Sequence, residues 1–296
     1  MFEFFEGLIE KIGVKLISDF SDKLFDFIKD IKDNSDGENN DNGKRSTQIG
    51  SSGDYAKIGS SGDYAQIGSS GYSAQIGSSG DYAKIDISGT NSVGFACGYN
   101  SIIKAKKGTW IALCEWSKNE DGKWIPIYAE SSQIGNKDYK DFKGRMLKEN
   151  EYYCLSNKKF YPVDISDGIT IKKISEKKRD GITIIKGQTF DNKDVYLVKQ
   201  DDLSAHGETL REAMEDLTFK KLENTDVEEI VAEIKKTNKV TRIQYRAITG
   251  ACSFGTNQFC KQHNIEDLEE IELEELRKIL INDYGADKFW SLIDKD

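Results

Sequence analysis

The chain has 296 residues, of which 37% are hydrophobic and 31% are charged, and its mean hydropathy is -0.60. This length predicts about two domains, and no run approaches the roughly 18 apolar residues that a membrane-spanning helix needs. Five scattered cysteines are too few for a disulfide framework, and the N-terminus lacks the basic region and cleavage site of a secretory signal. We therefore expect a soluble protein in a reducing, cytoplasmic compartment.

The formal net charge of -9 is concentrated in the C-terminal third. Residues 201–296 contain 22 acidic and 13 basic side chains, while the preceding 200 residues are balanced. Because a protein that binds phosphate backbones needs a basic surface, we expect no nucleic acid as a direct partner. An acidic helical surface is compatible with mimicry of nucleic acid toward a basic protein groove, and a solvated acidic face is the simpler interpretation.

Residues 1–33 have the period of an amphipathic helix. Apolar side chains recur at steps of three and four, from Phe5 through Leu16 to Ile31, with charges between them. The polar run 34–47 predicts a flexible linker, so the helix must dock elsewhere. It can cap the next domain, associate with copies of itself, or lie on a membrane. Eight acidic against five basic residues over 1–33 argue against a membrane partner.

A repeat of nine residues is the most specific pattern in the chain. The unit Lys/Gln-Ile-Gly-Ser-Ser-Gly-Asp-Tyr-Ala recurs along residues 48–84 and then degrades. The alternation in Asp-Tyr-Ala-Lys/Gln-Ile predicts a short strand, and Gly-Ser-Ser-Gly predicts a turn. Ala65 and Ile67 are expected to point inward, and Tyr64 and Gln66 outward. The pattern predicts a short parallel β-solenoid or β-roll over residues 48–108, with two units in a coil and about two to three coils.

Such a short stack buries little apolar surface by itself. Together with the Phe-rich stripe of residues 1–33, this predicts a homo-oligomer, and a trimer is favoured. Tyr55, Tyr64 and Tyr82 form a candidate binding face, because aromatic side chains on a rigid surface make good anchors; ladder packing explains them equally well. The repeat aspartates Asp54, Asp63 and Asp81 lack the spacing of calcium-binding β-rolls, so we expect them to stabilise the turns.

Three further segments follow the repeats. Residues 109–163 are predicted to form an antiparallel β segment that caps the solenoid, 164–224 a βββα module, and 225–296 a helical module. The predicted strands are Trp110–Trp116, Trp124–Tyr128, Tyr152–Leu155, Ile169–Ile174, Ile182–Ile185 and Val195–Val198, with a hairpin turn at Asn119–Gly122. The predicted helices are 208–222, 227–236, 241–248, 255–262, 268–280 and 287–293. The expected fold class is therefore mixed β and α.

The repeats and the segment that ends them resemble phage- and prophage-encoded proteins of Gram-positive bacteria that carry Gly-Asp-Tyr-Ser-Ala-type nonapeptides. The resemblance covers residues 48–160 and includes Asn91–Ser101 and Lys104–Leu113. Residues 205–222 and 244–290 resemble modules appended to phage proteins. More distantly, the repeat ending is similar to the interleaved β-rolls of trimeric autotransporter heads, which implies a trimer.

Few residues suggest catalytic or metal chemistry. Cys252, Cys260 and His263 have the spacing C-x7-C-x2-H, but structural zinc sites use four ligands, so we expect no metal and no cofactor. The chain has two histidines, which leaves almost no candidates for a nucleophile-histidine relay. His206 precedes a predicted helix that Thr209 or Ser204 can cap, with Glu212 to complete a capping box. The order of strands and helix around it resembles an antitoxin fold.

We therefore expect a non-enzymatic, oligomeric binding protein of phage or prophage type. It would engage a host protein in the cytoplasm of the host cell and counter host defence. The acidic residues of the predicted helix Leu268–Leu280, with Glu270 and Glu274 as candidate contacts, would speed the encounter; an amphipathic helix with solvated glutamates explains them equally well.

The alternative function is a C-terminal pocket that sequesters or processes a small molecule of nucleotide type. Its polar groups would be His206, Arg211, Tyr245 and Arg246. Convergence of these four side chains on one cavity would favour this alternative, and separate surfaces would favour the binding protein.

Overall fold

The computed structural model describes residues 47–223 and 225–295. The predicted helix over residues 1–33 lies outside the described residues, and so do residues 34–46 of the predicted linker. The chain divides into two compact units: the first runs to Ile165 and includes Thr170–Lys173, and the second comprises Ser166–Ile169 and the residues from Ile174 onward. Every helix in the described part of the chain is too short or too polar to cross a bilayer.

The first unit begins with eight strands that alternate between two sheets. They are β1 (Gln48–Ser51), β2 (Lys57–Ser60), β3 (Gln66–Ser69), β4 (Gln75–Ser78), β5 (Lys84–Ile87), β6 (Val93–Ala96), β7 (Ile102–Ala105) and β8 (Trp110–Lys118). Odd-numbered strands pair in parallel in one sheet and even-numbered strands in the other. The predicted solenoid with two units per coil is thus confirmed, and it has about four coils rather than two to three.

The strands occupy a later part of the repeat than the sequence predicted. Each repeat strand is Lys/Gln-Ile-Gly-Ser, whereas the Asp-Tyr pairs lie in turns. Tyr55, Tyr64 and Tyr82 have φ values of 58°, 58° and 57°, a left-handed conformation that is rare for a bulky residue. The alternation of apolar and polar residues continues into this turn. A prediction based on alternation alone therefore places the strand too early in the repeat. The predicted facing is confirmed, because Ala65 and Ile67 are 0% and 2% exposed and Tyr64 is 53% exposed.

The repeat aspartates stabilise the turns, as expected, but they act between coils. Oδ1 of Asp54 accepts a hydrogen bond from the amide of Tyr72 at 2.8 Å. Oδ1 of Asp63 accepts from Asp81 at 2.9 Å, and Oδ1 of Asp81 accepts from Tyr99 at 2.8 Å. Each carboxylate therefore satisfies a turn amide one coil further along the chain.

Antiparallel strands close the C-terminal end of the solenoid. β8 and β7 each pair with a strand that follows them in the chain. Ile134, Leu147 and Tyr153 are buried against the solenoid core. The predicted hairpin turn is confirmed by the amide of Gly122, which donates to the carbonyl of Asn119 at 2.9 Å. These strands are β9 (Trp124–Gln133), β10 (Tyr152–Ser156) and β11 (Lys159–Ser166), the last of which was not predicted.

A meander of antiparallel strands and a helix open the second unit. β12 (Ile169–Arg179) has residues in both units, and β13 (Ile182–Gln188), β14 (Asp194–Gln200) and β15 (Leu203–Gly207) follow. β15 was not predicted, because a five-residue strand with one full alternation gives little signal. Helix α1 (Leu210–Leu222) starts with the predicted capping box of Thr209 and Glu212.

The remainder of the second unit is mainly helical. Its elements are α2 (Val227–Thr237), β16 (Lys239–Thr241), α3 (Arg242–Thr249), α4 (Ser253–Gln262), β17 (Glu270–Glu272), α5 (Leu273–Ile279) and α6 (Ala286–Ile293). The predicted helix Leu268–Leu280 is wrong in its first part, since β17 pairs with β16. Ile271 lies opposite Val240, and Glu270 forms an ion pair with Lys239. These cross-strand contacts replace the helical spacing.

Candidate functional site

A cavity of about 540 Å³ lies in the helical part of the second unit. Residues of β16, α3, α4, β17 and α5 contribute to its wall, and a space of this size accepts a small molecule or several apolar side chains. Apolar side chains make up much of the lining, among them Val240, Tyr245, Phe259, Ile265, Leu268 and Ile271.

Two short helices joined by a tight turn build one side of this cavity. Thr241 starts α3 with a capping box that includes Gln244, and α3 ends at Gly250, whose φ is 78°. Glycine adopts this left-handed conformation without a steric penalty, so the chain reverses quickly into α4. Tyr245 of α3 and Phe259 of α4 both line the cavity.

The cavity has exposed apolar residues and carboxylates at its surface. Leu268 and Tyr284 are 44% and 73% exposed, and Glu269 and Asp283 also line the cavity and are exposed. Arg242, a lining cation, is paired with Glu215 at 3.2 Å. The exposed lining therefore favours cationic groups and disfavours phosphate.

Two titratable side chains of the lining, Tyr245 and Cys260, are neutral at physiological pH. Burial, with a smaller contribution from the charge of Asp283, raises the pKa of Tyr245 to about 12. Its hydroxyl donates to the carbonyl oxygen of Tyr284 at 2.6 Å. Burial also raises the pKa of the Cys260 thiol, so this cysteine lacks the thiolate character of a nucleophile. The wall offers apolar contact and few reactive groups.

Of the four residues predicted for a small-molecule pocket, Arg211 and Arg246 have other partners. Arg246 is buried and donates to Asp216 of α1 at 2.9 Å, with its guanidinium 4.3 Å from the ring centre of Phe219. Arg211 pairs with Glu215 within α1 at 3.0 Å. Arg246 thus holds α3 against α1.

His206 belongs to a separate polar cluster. Its Nδ1 lies 2.5 Å from Oδ2 of Asp167, and Asp167 also pairs with Lys220. Lys220 in turn donates to the carbonyl oxygen of Ser204 at 2.7 Å. Tyr245 alone of the four predicted residues lines the cavity, so the four side chains do not converge there.

The predicted tyrosines stack along two edges of the solenoid. The rings of Tyr64 and Tyr82 lie 4.8 Å apart and nearly parallel, at 4°, and Tyr99 meets Tyr82 edge-on at 5.6 Å. Tyr55 meets Tyr72 edge-on at 5.9 Å. Ladder packing therefore uses the ring faces between Tyr64 and Tyr82, and both residues remain exposed in part.

The acidic candidates do not lie on one helix. Glu270 lies in β17 and pairs with Lys239, which also approaches Glu272 at 3.9 Å. Glu274 is exposed in the first turn of α5. The glutamates thus follow a strand and the start of a helix, beside the cavity that Glu269 and Glu270 line.

The cysteines and histidine considered for a metal site are engaged separately. Sγ of Cys252 accepts a hydrogen bond from the amide of Gly255 at 3.3 Å, and the His263 ring lies 4.5 Å from that of Phe259. Within residues 47–223 and 225–295, no cluster of three or more His, Cys, Asp or Glu side chains is arranged to hold a metal ion.

Sequence reasoning missed most of the cavity. Phe259, Leu268 and Tyr284 are distant in sequence and meet only through the pairing of β16 with β17 and the turn after α3. An available signal was the apolar Leu268 between acidic residues. Asp167 gave no signal, because 39 residues separate it from His206.

Comparison with known proteins gave no matching family model, and no curated protein sequence and no solved structure matched significantly.

Proposed function

We propose that this chain is a non-enzymatic binding protein whose helical part takes an apolar, positively charged segment of another protein into the 540 Å³ cavity. The observation that carries the proposal is the combination of an apolar wall with exposed Leu268, Tyr284 and carboxylates at its surface. Amphipathic helices bind other proteins by placing apolar side chains in grooves of this kind.

The charges of the lining favour a basic segment. Glu269 and Asp283 are exposed at the cavity, and the net charge of residues 201–296 is -9 from 22 acidic and 13 basic side chains. Charge of one sign speeds the approach of an oppositely charged partner. The same carboxylates would repel the phosphates of a nucleotide, which makes the small-molecule alternative the weaker proposal.

The resemblance of the repeats to phage and prophage proteins gives this binding a biological setting. We infer that the partner is a host protein and that binding counters a host defence. The solenoid would serve as a rigid platform for the binding module.

The experiment uses two synthetic amphipathic peptides, one of Leu and Lys and one of Leu and Glu, titrated onto the full-length protein by calorimetry. We expect the Leu/Lys peptide to bind and the Leu/Glu peptide to bind at least tenfold more weakly. Leu268→Ala and Tyr284→Ala should each weaken the Leu/Lys complex about tenfold, which corresponds to roughly 1.4 kcal/mol.

The matched control is Ile281→Ala, which removes an exposed apolar side chain outside the cavity lining and should leave the affinity unchanged. Equal binding of both peptides, or equal effects of all three substitutions, would overturn the proposal. A small molecule released from the purified protein by heating, and detected by mass spectrometry, would support the alternative function.

A further inference from the structure

The two ends of the solenoid differ in how well their core is covered. At the C-terminal end, Ile134 and Leu147 close the core. At the N-terminal end, Ile49 is partly exposed, whereas the equivalent Ile67 and Ile85, one and two coils further along, are 2% and 0% exposed. The first coil therefore leaves apolar core surface open.

The backbone is open at the same end. Among the described residues, β1 pairs with β3 and β2 pairs with β4, and neither has a strand on its other side. Counting atoms of residues 47–223 and 225–295, a Cβ atom on Gly53 would meet only Ser51 Oγ at 3.8 Å, and the nearest atom to one on Gly62 would be Thr47 Oγ1 at 3.5 Å. Such open edges of parallel strands promote aggregation unless something covers them.

We propose that residues 2–31 of the same chain cover this open end. The sequence places apolar side chains in that segment at steps of three and four, including Leu16, Phe20 and Leu24. A helix with this spacing would have one continuous apolar face, which is the kind of surface that would cover the open core. Terminal caps with a polar outer face keep stacked repeats soluble, and the charges between these apolar residues supply that face.

The position of the segment favours it over a second copy of the protein. Residues 34–46 join it directly to the first coil, and a chain of that length and composition spans about 20 Å. This exceeds the roughly 10 Å between two packed sheets. The segment is therefore present at the open end at an effective concentration in the millimolar range, far above that of a separate copy in dilute solution.

Hydrogen exchange on the full-length protein tests the proposal. The variant Leu16→Asp with Phe20→Asp should speed amide exchange in β1 and β2 at least tenfold and leave β5 and β7 unchanged. The matched control, Ser18→Asp with Ser21→Asp, adds the same charge at polar positions and should leave all four strands unchanged. Equal exchange in β1 and β2 for the wild type and both variants would overturn the proposal.

A photocrosslinking experiment keeps the proposal testable if the charged variant fails to fold. A photoreactive phenylalanine analogue at Phe20, in a mixture of isotopically light and heavy protein, should crosslink to residues 47–60 within one isotopic form. Crosslinks of mixed isotopic form would assign the cover to a second copy, and the absence of crosslinks to residues 47–60 would contradict a cover by this segment.

A pair of glycine substitutions identifies the kind of cover. If a coil of a second copy stacked on the open end as the coils stack on one another, Gly53→Ala would disturb it, because a methyl group there points outward from the end. A cover of apolar side chains should tolerate this change, with β1 and β2 exchange altered less than twofold. Loss of protection in Gly53→Ala would favour the stacked second copy and overturn the proposal.

Discussion

A Cβ atom on Gly80 would lie 2.0 Å from the carbonyl oxygen of Gly62, one coil earlier in the solenoid. The same close approach recurs at Gly71, Gly89 and Gly98, where the distance is 1.9 Å. In every coil that stacks on an earlier coil, the glycine at this position is therefore required by the close approach of backbone to backbone. This explains why the repeat keeps a glycine whose φ lies in the ordinary range.

Replacement of that glycine should destabilise the solenoid. We expect Gly80→Ala to lower the free energy of unfolding by about 3 kcal/mol or more, because the coils must separate to admit the methyl group. Gly68→Ala is the control, since a Cβ atom there would have no neighbour within 4 Å in the part of the chain that the structure describes. Urea unfolding of both variants is the measurement, and equal midpoints would contradict this account of the repeat.

The strained tyrosines should respond differently to asparagine. Asn91 and Asn100 have the same left-handed conformation as Tyr55 and Tyr82, and asparagine tolerates it better. Tyr55→Asn should raise the free energy of unfolding by up to about 1 kcal/mol. Tyr82→Asn should gain less or lose stability, because it gives up ring contacts with both Tyr64 and Tyr99, whereas Tyr55→Asn gives up the edge-on contact with Tyr72. Such contacts are worth about 0.5–1.5 kcal/mol each. Thermal unfolding compares the two, and the opposite order would show that stacking does not balance the strain.

The cluster around Asp167 should make stability depend on acid pH. Burial acts to raise the pKa of this carboxyl, but hydrogen bonds and charges of Lys220 and His206 lower it below its usual value. A lowered pKa stabilises the folded state above the unfolded pKa, near 4. That contribution is lost as the pH falls through the folded pKa.

Asp167→Asn should therefore cost about 1.5 kcal/mol at pH 7 and much less at pH 3. The control is Asp202→Asn, which changes an exposed carboxylate of the same unit and should have little effect at either pH. Urea unfolding at both pH values is the measurement. A constant difference between Asp167→Asn and the wild type would mean that the carboxylate is not the source of the stability.

The acidic residues beside the cavity should act mainly on the rate of association. We expect the five-fold Gln variant of Glu269, Glu270, Glu272, Glu274 and Glu275 to bind the Leu/Lys peptide more slowly and with a weaker dependence on salt. Stopped-flow mixing at low and high salt measures both effects. Unchanged kinetics would show that these glutamates are a solvated surface.

The solenoid could be predicted from the sequence, because each unit of nine residues has an Ala and an Ile two positions apart. Few folds other than stacked coils bury such a pair from every unit. The prediction misplaced the strands within the repeat, since Tyr64 continues the alternation while its backbone turns. The cavity could not be predicted, because the expected helix Leu268–Leu280 does not form in its first part. Residues 270–272 instead form β17 and pair with β16, and Leu268 lines the cavity beside this pair. Pairings between short, distant strands are weakly encoded in local pattern.

The oligomeric state stays a prediction. One of the two reasons for expecting a trimer was the shortness of the solenoid. This reason is weaker now, because the solenoid has about four coils and its C-terminal end is closed. The other reason is the apolar stripe of residues 1–33, which a cap within the chain would satisfy. Light scattering on the full-length protein at micromolar concentration measures the mass. A trimer is the expected result, and a monodisperse monomer would contradict it.

One nonapeptide is half a coil, because consecutive strands belong to opposite sheets. Inserting or deleting a single unit would therefore exchange the sheet to which every later strand of the array belongs, and would turn whatever follows by half a revolution about the solenoid axis. Two units restore the orientation and change the length by one strand spacing, about 4.8 Å. The array can thus change its length during evolution in steps of eighteen residues without turning the segment that follows it. Gain or loss of an odd number of units would turn that segment to the opposite side of the solenoid.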